Sequence, residues 1–266
     1  MQKDNIISSL NNNKISDLIK IRDYKKYRDE KNLFFLEGER LINDSKKELL
    51  VSLFISESYN KDISQYENID KFIVTDNVFN KIKDTKTSQG IIAIAKKYVN
   101  TEYNCLFEDN ISNIVLLDNI QDPGNLGTIF RTCEASGINN IVLTSDCCDA
   151  FMPKVLRASM SSIFRINLYI IDNYLDFISK AKKHNFKMIS TILDSNNNYY
   201  NYNFNNNKNI IVFGNEANGI RKEILDICDD SITIPMSGSI ESLNVSISCA
   251  LILYEIKRQM EFINEE

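Results

Sequence analysis

The chain contains 266 residues, of which 43% are hydrophobic and 25% are charged, a composition that is ordinary for a globular protein. This length allows one large domain or two modest ones, with enough apolar residues for a substantial core. No apolar run reaches the roughly 18 residues that a membrane helix needs, and the first residues lack the apolar segment of a signal peptide. We therefore expect a cytoplasmic protein without a membrane segment.

The cysteines and the histidine do not form a metal-binding pattern. The chain has six cysteines and one histidine, His184, and no two cysteines are spaced as CxxC. Because a zinc site needs clustered ligands, no metal is expected. The cysteines are interpreted as reduced thiols of an intracellular protein.

Positive charge is concentrated near the N-terminus. The net charge of −5 argues weakly against nucleic acid as a partner, but the two parts of the chain differ. Residues 1–100 carry 18 Lys and Arg against 15 Asp and Glu, whereas the remaining residues carry 13 against 21. The segment 14–31 supplies six candidate contacts for RNA phosphates, which are Lys14, Lys20, Arg22, Lys25, Lys26 and Arg28. A solvated helix face is the alternative interpretation of these residues.

The first hundred residues alternate between helical and strand patterns. Apolar residues at helical spacing predict a helix over 14–31. Short runs of β-branched and aromatic residues predict strands at Leu33–Leu36, in VSLFISES, in KFIVTD and at 90–97, with a helix from about Glu39. This alternation predicts a small α/β domain over residues 1–105, which ends in a polar segment without a clear period.

The residues after this boundary repeat the alternation more clearly. Strands are predicted in NIVLLD, NIVLTS, NLYII, FKMISTIL, NIIVFG and SITIPM. Helices are predicted at Leu126–Ser136 with Gly137 as C-cap, in PKVLRASM, YLDFISKAKKH and IRKEILDIC, and from near Ser242 onward. This order predicts that residues 106–266 form an α/β domain, a mostly parallel sheet with helices on both faces. The Asn-rich tract at 196–207 is interpreted as a polar surface loop.

The stretch DPGNLGTIFR, from Asp122 to Arg131, follows a strand and begins a helix, a context in which helix N-termini bind anions. It lacks the G-K-[ST] of a P-loop and the G-x-G-x-x-G of a dinucleotide site, so a phosphate loop and a dehydrogenase-like domain are disfavoured. A turn with a helix cap accounts for the proline and the glycines. It does not account for Arg131, which the neighbouring Ile129 and Phe130 predict to lie in apolar surroundings.

Two further loops also follow predicted strands. VFGNEANGI places Gly214 at the end of a strand, where a missing side chain lets a ligand or a backbone approach closely. IPMSGSIESLNVSISCA places small residues before the last helix, for which Ser242 has N-cap chemistry. Because the carboxyl ends of parallel strands share one edge of a sheet, three such loops are typical of a small-molecule cofactor site.

The stretches DNIQDPGNLGTIFRTCEASG, FGNEANGI and IPMSGSIESLNVSISCA together resemble, in order and spacing, the three motifs of the SpoU-type RNA ribose 2'-O-methyltransferases of the SPOUT superfamily. RASMSSIFR resembles a further segment of that family. The resemblance implies S-adenosylmethionine as the cofactor, a trefoil knot in the C-terminal domain, and a homodimer with the active site near its interface. The chain departs from the family where Ala217 and Ser161 stand in place of frequent glycines.

The resemblance also implies roles for individual residues. The implied catalytic residues are Arg131, Asn125, Glu216, Ser242 and Asn244. The implied contacts to S-adenosylmethionine are Thr191, Gly214, Glu216, Ile234, Met236, Ser239 and Leu243. The family role of Arg131 is to activate the ribose hydroxyl, either as a base or by stabilising the alkoxide. The high pKa of a guanidinium favours stabilisation over action as a base.

The N-terminal stretch KISDLIKIRDYKKYRDEKNLFFLEGERLI resembles the RNA-substrate-binding domain of SpoU enzymes that act on large-subunit rRNA, a domain with a ribosomal-protein-like α/β fold. This favours an RNA contact over a solvated face at 14–31, and it predicts methyl transfer to a ribose of 23S rRNA, with guanosine as the best choice of nucleotide. The alternatives are a tRNA ribose 2'-O-methyltransferase and a non-catalytic RNA-binding or ribosome-assembly protein with a vestigial cofactor pocket.

Overall fold

The computed structural model describes residues 6–100, 102–108, 111, 113–205, 208–239 and 242–263. These residues form two compact units. The first unit contains the described residues up to Tyr98 together with Asp149–Phe164, and the second contains the described residues of Val99–Cys148 and those from Arg165 onward. The chain therefore leaves the second unit after Cys148 and returns to it at Arg165.

Helices and strands alternate along most of the described chain. The helices are α1 (Asn13–Asp23), α2 (Lys25–Lys31), α3 (Glu39–Asp44), α4 (Asp76–Ile82), α5 (Pro123–Ser136), α6 (Pro153–Ala158), α7 (Tyr174–Lys183), α8 (Lys222–Leu225) and α9 (Val245–Ile263). The strands are β1 (Leu33–Glu37), β2 (Leu50–Ser56), β3 (Asp70–Val74), β4 (Ile91–Lys96), β5 (Asn113–Leu117), β6 (Asn140–Thr144), β7 (Asn167–Ile171), β8 (Lys187–Thr191), β9 (Asn209–Phe213) and β10 (Asp230–Ile232).

The first unit is built on a four-stranded sheet in the order β1-β4-β2-β3. Strand β4 pairs antiparallel with both β1 and β2, while β2 and β3 run parallel. One face of this sheet shares a buried core with α1 and α4, whose members include Ile15, Leu18, Phe79 and Ile82. The predicted small α/β domain is confirmed, although the predicted single helix over 14–31 is divided at Tyr24, which is extended at φ −117° and ψ 114°.

The segment 149–164 is packed into the first unit by an ion pair and by aromatic contacts. Asp149 accepts a hydrogen bond at 2.7 Å from Nε of Arg28, and both side chains are buried. The ring of Phe151 lies 4.9 Å from that of Phe34 and 5.8 Å from that of Tyr98, measured between centroids. Because α6 also lies against β1, this segment completes the core of the first unit.

The second unit contains a six-stranded sheet in the order β10-β8-β9-β5-β6-β7, and all of its pairs are parallel. Alternate strand residues such as Ile114 and Leu116 share a core with Phe177 of α7 and Ile224 of α8. The opposite face is covered by α5 and α9, which pack against each other. The predicted parallel sheet with helices on both faces is therefore confirmed, whereas the trefoil knot stays a prediction.

The ends of α5 and α9 position the residues of the first and third motifs. Helix α5 begins at Pro123, earlier than predicted, because the side chain of Asp122 accepts a hydrogen bond from the amide of Asn125 and caps the first turn. Gly137 ends this helix in the left-handed conformation at φ 83°, as predicted. Helix α9 is capped by Asn244, whose Oδ1 accepts from the amide of Ser246, and the predicted cap at Ser242 is wrong.

The described part of the Asn-rich tract is a loop that covers the edge strand β10. Asn198 forms an isolated parallel bridge with Thr233, and the hydroxyl of Tyr202 donates to Asp230 at 2.6 Å. The tract thus forms the predicted loop, and tyrosine and asparagine groups within it fasten it to the end of the sheet.

Candidate active site

A cavity of about 530 Å³ lies in the second unit at the carboxyl ends of β8, β9 and β10. This volume is within the range of small-molecule and cofactor sites, roughly 300 to 1,000 Å³. Six of the seven predicted cofactor contacts line it, namely Thr191, Gly214, Glu216, Ile234, Met236 and Leu243. The seventh, Ser239, is exposed and does not line the cavity. A contact between Ser239 and the cofactor therefore stays a prediction.

The loop that follows β9 requires glycine at its first position. A Cβ added to Gly214 would lie 2.2 Å from the backbone carbon of Gly219 and 2.3 Å from the nitrogen of Ile220. The loop closes on itself, because the amides of Asn215 and Gly219 each donate to the other residue's carbonyl at 2.9 Å. Gly214 was predicted from a close approach of ligand or backbone, and in this structure the approaching group is the loop's own backbone.

Three predicted catalytic residues are joined by hydrogen bonds. Nδ2 of Asn244 donates to Oδ1 of Asn125 at 2.9 Å, and Nδ2 of Asn125 donates to Oε1 of Glu216 at 2.9 Å. The amide orientation of Asn125 is therefore set on both sides, and its side chain links the first motif to the second and third. Ser242, the fourth predicted catalytic residue, lines the cavity.

Arg131 is not part of this chain of hydrogen bonds. Its side chain is exposed and makes no hydrogen bond or ion pair with any residue that the structure describes. It lies six positions beyond Asn125 on α5, which rotates it by about 240° around the helix axis at 100° per residue. The predicted apolar surroundings are wrong, because Leu126, Ile129 and Phe130 form the buried face while Arg131 lies on the opposite one.

Two of the predicted RNA contacts have structural partners instead. The guanidinium of Arg28 is 1% exposed, is paired with Asp149, and donates to the carbonyls of Ile21 and Arg22 at the end of α1. Arg28 is therefore not available to RNA, and that prediction is wrong. The side chain of Arg22 is 16% exposed and donates through Nη1 to the carbonyls of Lys81 and Ile82 at the end of α4. Arg22 therefore caps the C-terminus of that helix.

The four lysines of the same patch are on the surface. Lys25 and Lys26 are exposed and have no ion-pair partner among the residues that the structure describes. Lys14 and Lys20 are exposed as well, and their ammonium groups lie over the rings of Phe72 at 3.5 Å and of Tyr27 at 5.4 Å, in the range of cation–π contacts. The exposed charge of this patch thus comes from lysines, and their contact with RNA stays a prediction.

A charged cluster that was not predicted from the sequence borders the loop after β9. Arg221 bonds to Asp118, at the end of β5, and to Asp146, which follows β6. Burial lowers the pKa of Arg221, but the hydrogen bonds to both carboxylates outweigh it, and the net pKa is raised above its usual value. The sequence did contain a signal for this cluster, because the apolar strand β5 is followed directly by Asp118, and a carboxylate at the end of a buried strand needs a partner.

The described residues contain neither a metal cluster nor a membrane helix. No three His, Cys, Asp or Glu side chains in the described ranges are grouped so that they could hold a metal ion. No described helix has the length and apolar character needed to span a bilayer.

Comparisons with known proteins agree on one family. The model of the SpoU rRNA Methylase family matches residues 112–254, and the model of the MRM3-like substrate binding domain matches residues 12–93. The 23S rRNA (guanosine(2553)-2'-O)-methyltransferase RlmP of Bacillus subtilis is 28% identical over 256 residues, which covers 94% of this chain and 98% of the relative.

Solved structures show the same similarity. The AdoMet-bound rRNA methyltransferase from Sinorhizobium meliloti has a TM-score of 0.86 at 26% identity, covering 96% of this chain and 97% of that chain. The TrmH/SpoU tRNA modifying enzyme of A. aeolicus has a TM-score of 0.52 at 30% identity and covers 57% of this chain and 77% of that chain. The similarity to the rRNA enzyme thus extends over far more of this chain than the similarity to the tRNA enzyme.

Proposed function

The chain belongs to the SpoU rRNA methylase family and is an S-adenosylmethionine-dependent RNA methyltransferase, and on this premise we propose that it methylates the ribose 2'-hydroxyl of a guanosine in 23S rRNA. The nucleotide that corresponds to position 2553 in the RlmP relative is the first one to examine. The observation that carries the proposal is the hydrogen-bonded series Asn244–Asn125–Glu216 beside a cavity of cofactor size.

The cavity has the composition that S-adenosylmethionine requires. Its walls combine the apolar side chains of Ile234, Met236 and Leu243 with the backbone of the loop that starts at Gly214. A few polar groups in a mostly apolar site are what orients a small molecule. The hydroxyl of Thr191 already donates to the carbonyl of Val212 at 2.9 Å, so Thr191 would contribute its carbon atoms or accept a hydrogen bond.

When bound, S-adenosylmethionine supplies a methyl group made electrophilic by its sulfonium. The residues of this chain must then position a ribose hydroxyl and stabilise the oxygen as its proton leaves. Arg131 suits the second task, because its guanidinium is a cation that is exposed and not paired within the described part of the chain. In this role it stabilises the developing alkoxide and holds the adjacent phosphate. Glu216 and Asn244 hold the amide of Asn125 in one orientation toward the substrate.

We also propose that the protein acts as a homodimer through the second unit. Helix α9 exposes an apolar stripe at helical spacing, formed by Ile247, Leu251 and Tyr254, which are 51%, 37% and 49% exposed. An exposed apolar stripe of this kind marks an association surface. Pairing of α9 and of the adjacent α5 with a second copy would enclose Arg131. Light scattering should give twice the chain mass for the native protein, and Ile247→Glu should give the monomer mass.

The choice of rRNA over tRNA is supported by the first unit. Its match to a substrate-binding domain covers residues 12–93, and the full-length relative of known substrate acts on 23S rRNA. Lys25 and Lys26 present unpaired charge on this unit, within its described residues. Replacing both with glutamine should weaken rRNA binding and reduce its salt dependence, since each lost phosphate contact lowers the salt slope by about one. Action on rRNA would place the protein in the cytoplasm.

The test is to map 2'-O-methyl groups on rRNA and tRNA from cells with and without this protein, and to repeat transfer with purified components. We expect one 23S rRNA position to lose its methyl group. Arg131→Ala should keep cofactor affinity and lose transfer, and Arg131→Lys should rescue a point-charge role but not a bidentate one. Arg165→Ala is the matched control, because Arg165 is an exposed arginine of the same unit paired with Glu134.

Loss of a tRNA methyl group instead would replace rRNA by tRNA as the substrate. Loss of no methyl group, together with no cofactor binding by the pure protein at millimolar concentration, would establish the non-catalytic alternative. Loss of cofactor affinity in a folded Arg131→Ala protein would contradict the division of roles between Arg131 and the cavity.

A further inference from the structure

The segment 214–220, which we call the cofactor loop, forms one wall of the cavity. Its middle is held by its own hydrogen bonds between Asn215 and Gly219. Oδ1 of Asn215 also accepts from the amide of Ala217 at 2.9 Å, while Nδ2 donates to the carbonyl of Asn119 at 2.8 Å. The loop is therefore internally fixed, and its position relative to the sheet depends on how its two ends are attached.

Arg221 attaches the end of the cofactor loop to two neighbouring strands. Its backbone amide donates to Oδ2 of Asp118 at 2.8 Å, and Nε donates to Oδ1 of the same carboxylate at 2.6 Å. Nη2 donates to Asp146 at 2.6 Å. The guanidinium also lies over the ring of Tyr174, with Cζ 4.8 Å from the centroid. One side chain thus joins the ends of β5 and β6 to the loop that follows β9.

The charged cluster around Arg221 is also linked by hydrogen bonds to the predicted catalytic residue Glu216. The carbonyl of Asp146 accepts from Nε2 of Gln121 at 2.6 Å, and the amide of Gln121 donates to Oε2 of Glu216 at 3.5 Å. Glu216 belongs to the cofactor loop and accepts from Asn125. The contacts therefore form a closed ring from Arg221 through Asp146, Gln121 and Glu216 and back along the loop. This ring of contacts links Arg221 to Glu216 and to the cavity wall.

We propose that Arg221 is a positioning residue, which fixes the cofactor loop and Glu216 in the geometry that binds S-adenosylmethionine. The inference rests on the proposed function, because it concerns the same cavity. A purely structural role is the competing explanation, since Asp118 is 1% exposed and would be left without a cation if Arg221 were removed. The two roles differ in cofactor affinity and in local loop motion, measured in protein that remains folded.

The test compares Arg221→Gln, Arg221→Lys and Asp146→Asn with the native full-length chain, by calorimetry with S-adenosylmethionine and by hydrogen exchange without it. Arg221→Gln should raise the Kd roughly tenfold or more, because small misplacements of a site have large effects. Amides of the cofactor loop should exchange faster, while those of β5 should not change. Arg221→Lys should restore part of the affinity, since lysine keeps the charge but lacks the planar fork.

Lys222→Gln is the matched control, because it removes an exposed cation from the next position without disturbing either carboxylate. Asp146→Asn keeps the test decisive if Arg221→Gln does not fold, since the Asp146 side chain is 47% exposed and the Arg221–Asp118 pair remains. Native affinity and native loop exchange in folded Arg221 and Asp146 variants would overturn the inference. A wild-type protein that binds S-adenosylmethionine but methylates neither rRNA nor tRNA would contradict the proposed function, and the affinity and exchange results would still decide the role of Arg221.

Discussion

Replacing Asp149 by alanine should strongly destabilise the first unit. The side chains of Arg28 and Asp149 are 1% and 5% exposed and are joined at 2.7 Å. Without Asp149, the guanidinium would keep its hydrogen bonds to the carbonyls of Ile21 and Arg22 but would lose its counter-charge. Leaving one buried partner of an ion pair uncompensated costs about 3 to 5 kcal/mol, a large part of a typical stability of about 5 to 15 kcal/mol.

The assay is urea denaturation followed by circular dichroism, with hydrogen exchange to locate the change. We expect Asp149→Ala to lower the free energy of unfolding by about 3 to 5 kcal/mol. Protection should be lost in α1, α2 and the segment 149–164, while β5, β6 and β9 keep theirs. The double variant Arg28→Met with Asp149→Leu is the matched control, because apolar replacement of both buried charges is often neutral or stabilising.

A loss below about 1 kcal/mol for Asp149→Ala would be the value of an exposed ion pair and would refute the reasoning. It would mean that the pair is solvated and that the segment 149–164 is not anchored by it. A double variant as unstable as the single one would show that the hydrogen bonds of the pair, rather than its charge balance, stabilise this region.

Three further predictions concern single positions. Ser161→Gly should stabilise the protein by about 1 kcal/mol in urea denaturation, because Ser161 has φ 71° and a buried hydroxyl without a partner among the described atoms. Gly214→Ala should cost roughly 1 to 3 kcal/mol and abolish cofactor binding in calorimetry, because its methyl group would meet the backbone of Gly219. Burial raises the pKa of Cys147 to about 11, so iodoacetamide at pH 8 should label the exposed Cys105 and leave Cys147 unmodified in a mass spectrum of the native protein.

The architecture of the second unit could be predicted because the two central strands of its sheet are fully buried. Strands such as Asn113–Leu117 and Asn209–Phe213 are buried along their whole length, so each appears in the sequence as a short apolar run between polar turns. The partner of Arg28 could not be predicted in the same way. Asp149 lies 121 positions away, and a local excess of positive charge looks the same whether its members are solvated or paired at long range.

Most residues of the candidate site could be predicted from the sequence, but the hydrogen bonds between them could not. The motifs identified Asn125, Glu216 and Asn244 without showing that Asn125 is held between the other two. The contacts of Arg221 could not be predicted, because its partners Asp118 and Asp146 follow two other strands and are brought together only by the folded sheet. The exposed position of Arg131, in contrast, was available from helical spacing, since the buried residues of α5 define one face and Arg131 lies off it.

That position of Arg131 has a structural consequence for catalysis. Within the described part of one chain, Arg131 is exposed, lies off the buried face of α5 and does not line the cavity. Helix α5, which carries Arg131, packs against α9, which carries the exposed apolar stripe. In the proposed dimer, a second copy seated on this surface would exclude water from the guanidinium of Arg131. Dimer formation and methyl transfer should therefore be lost together in Ile247→Glu, while the cavity retains its affinity for S-adenosylmethionine.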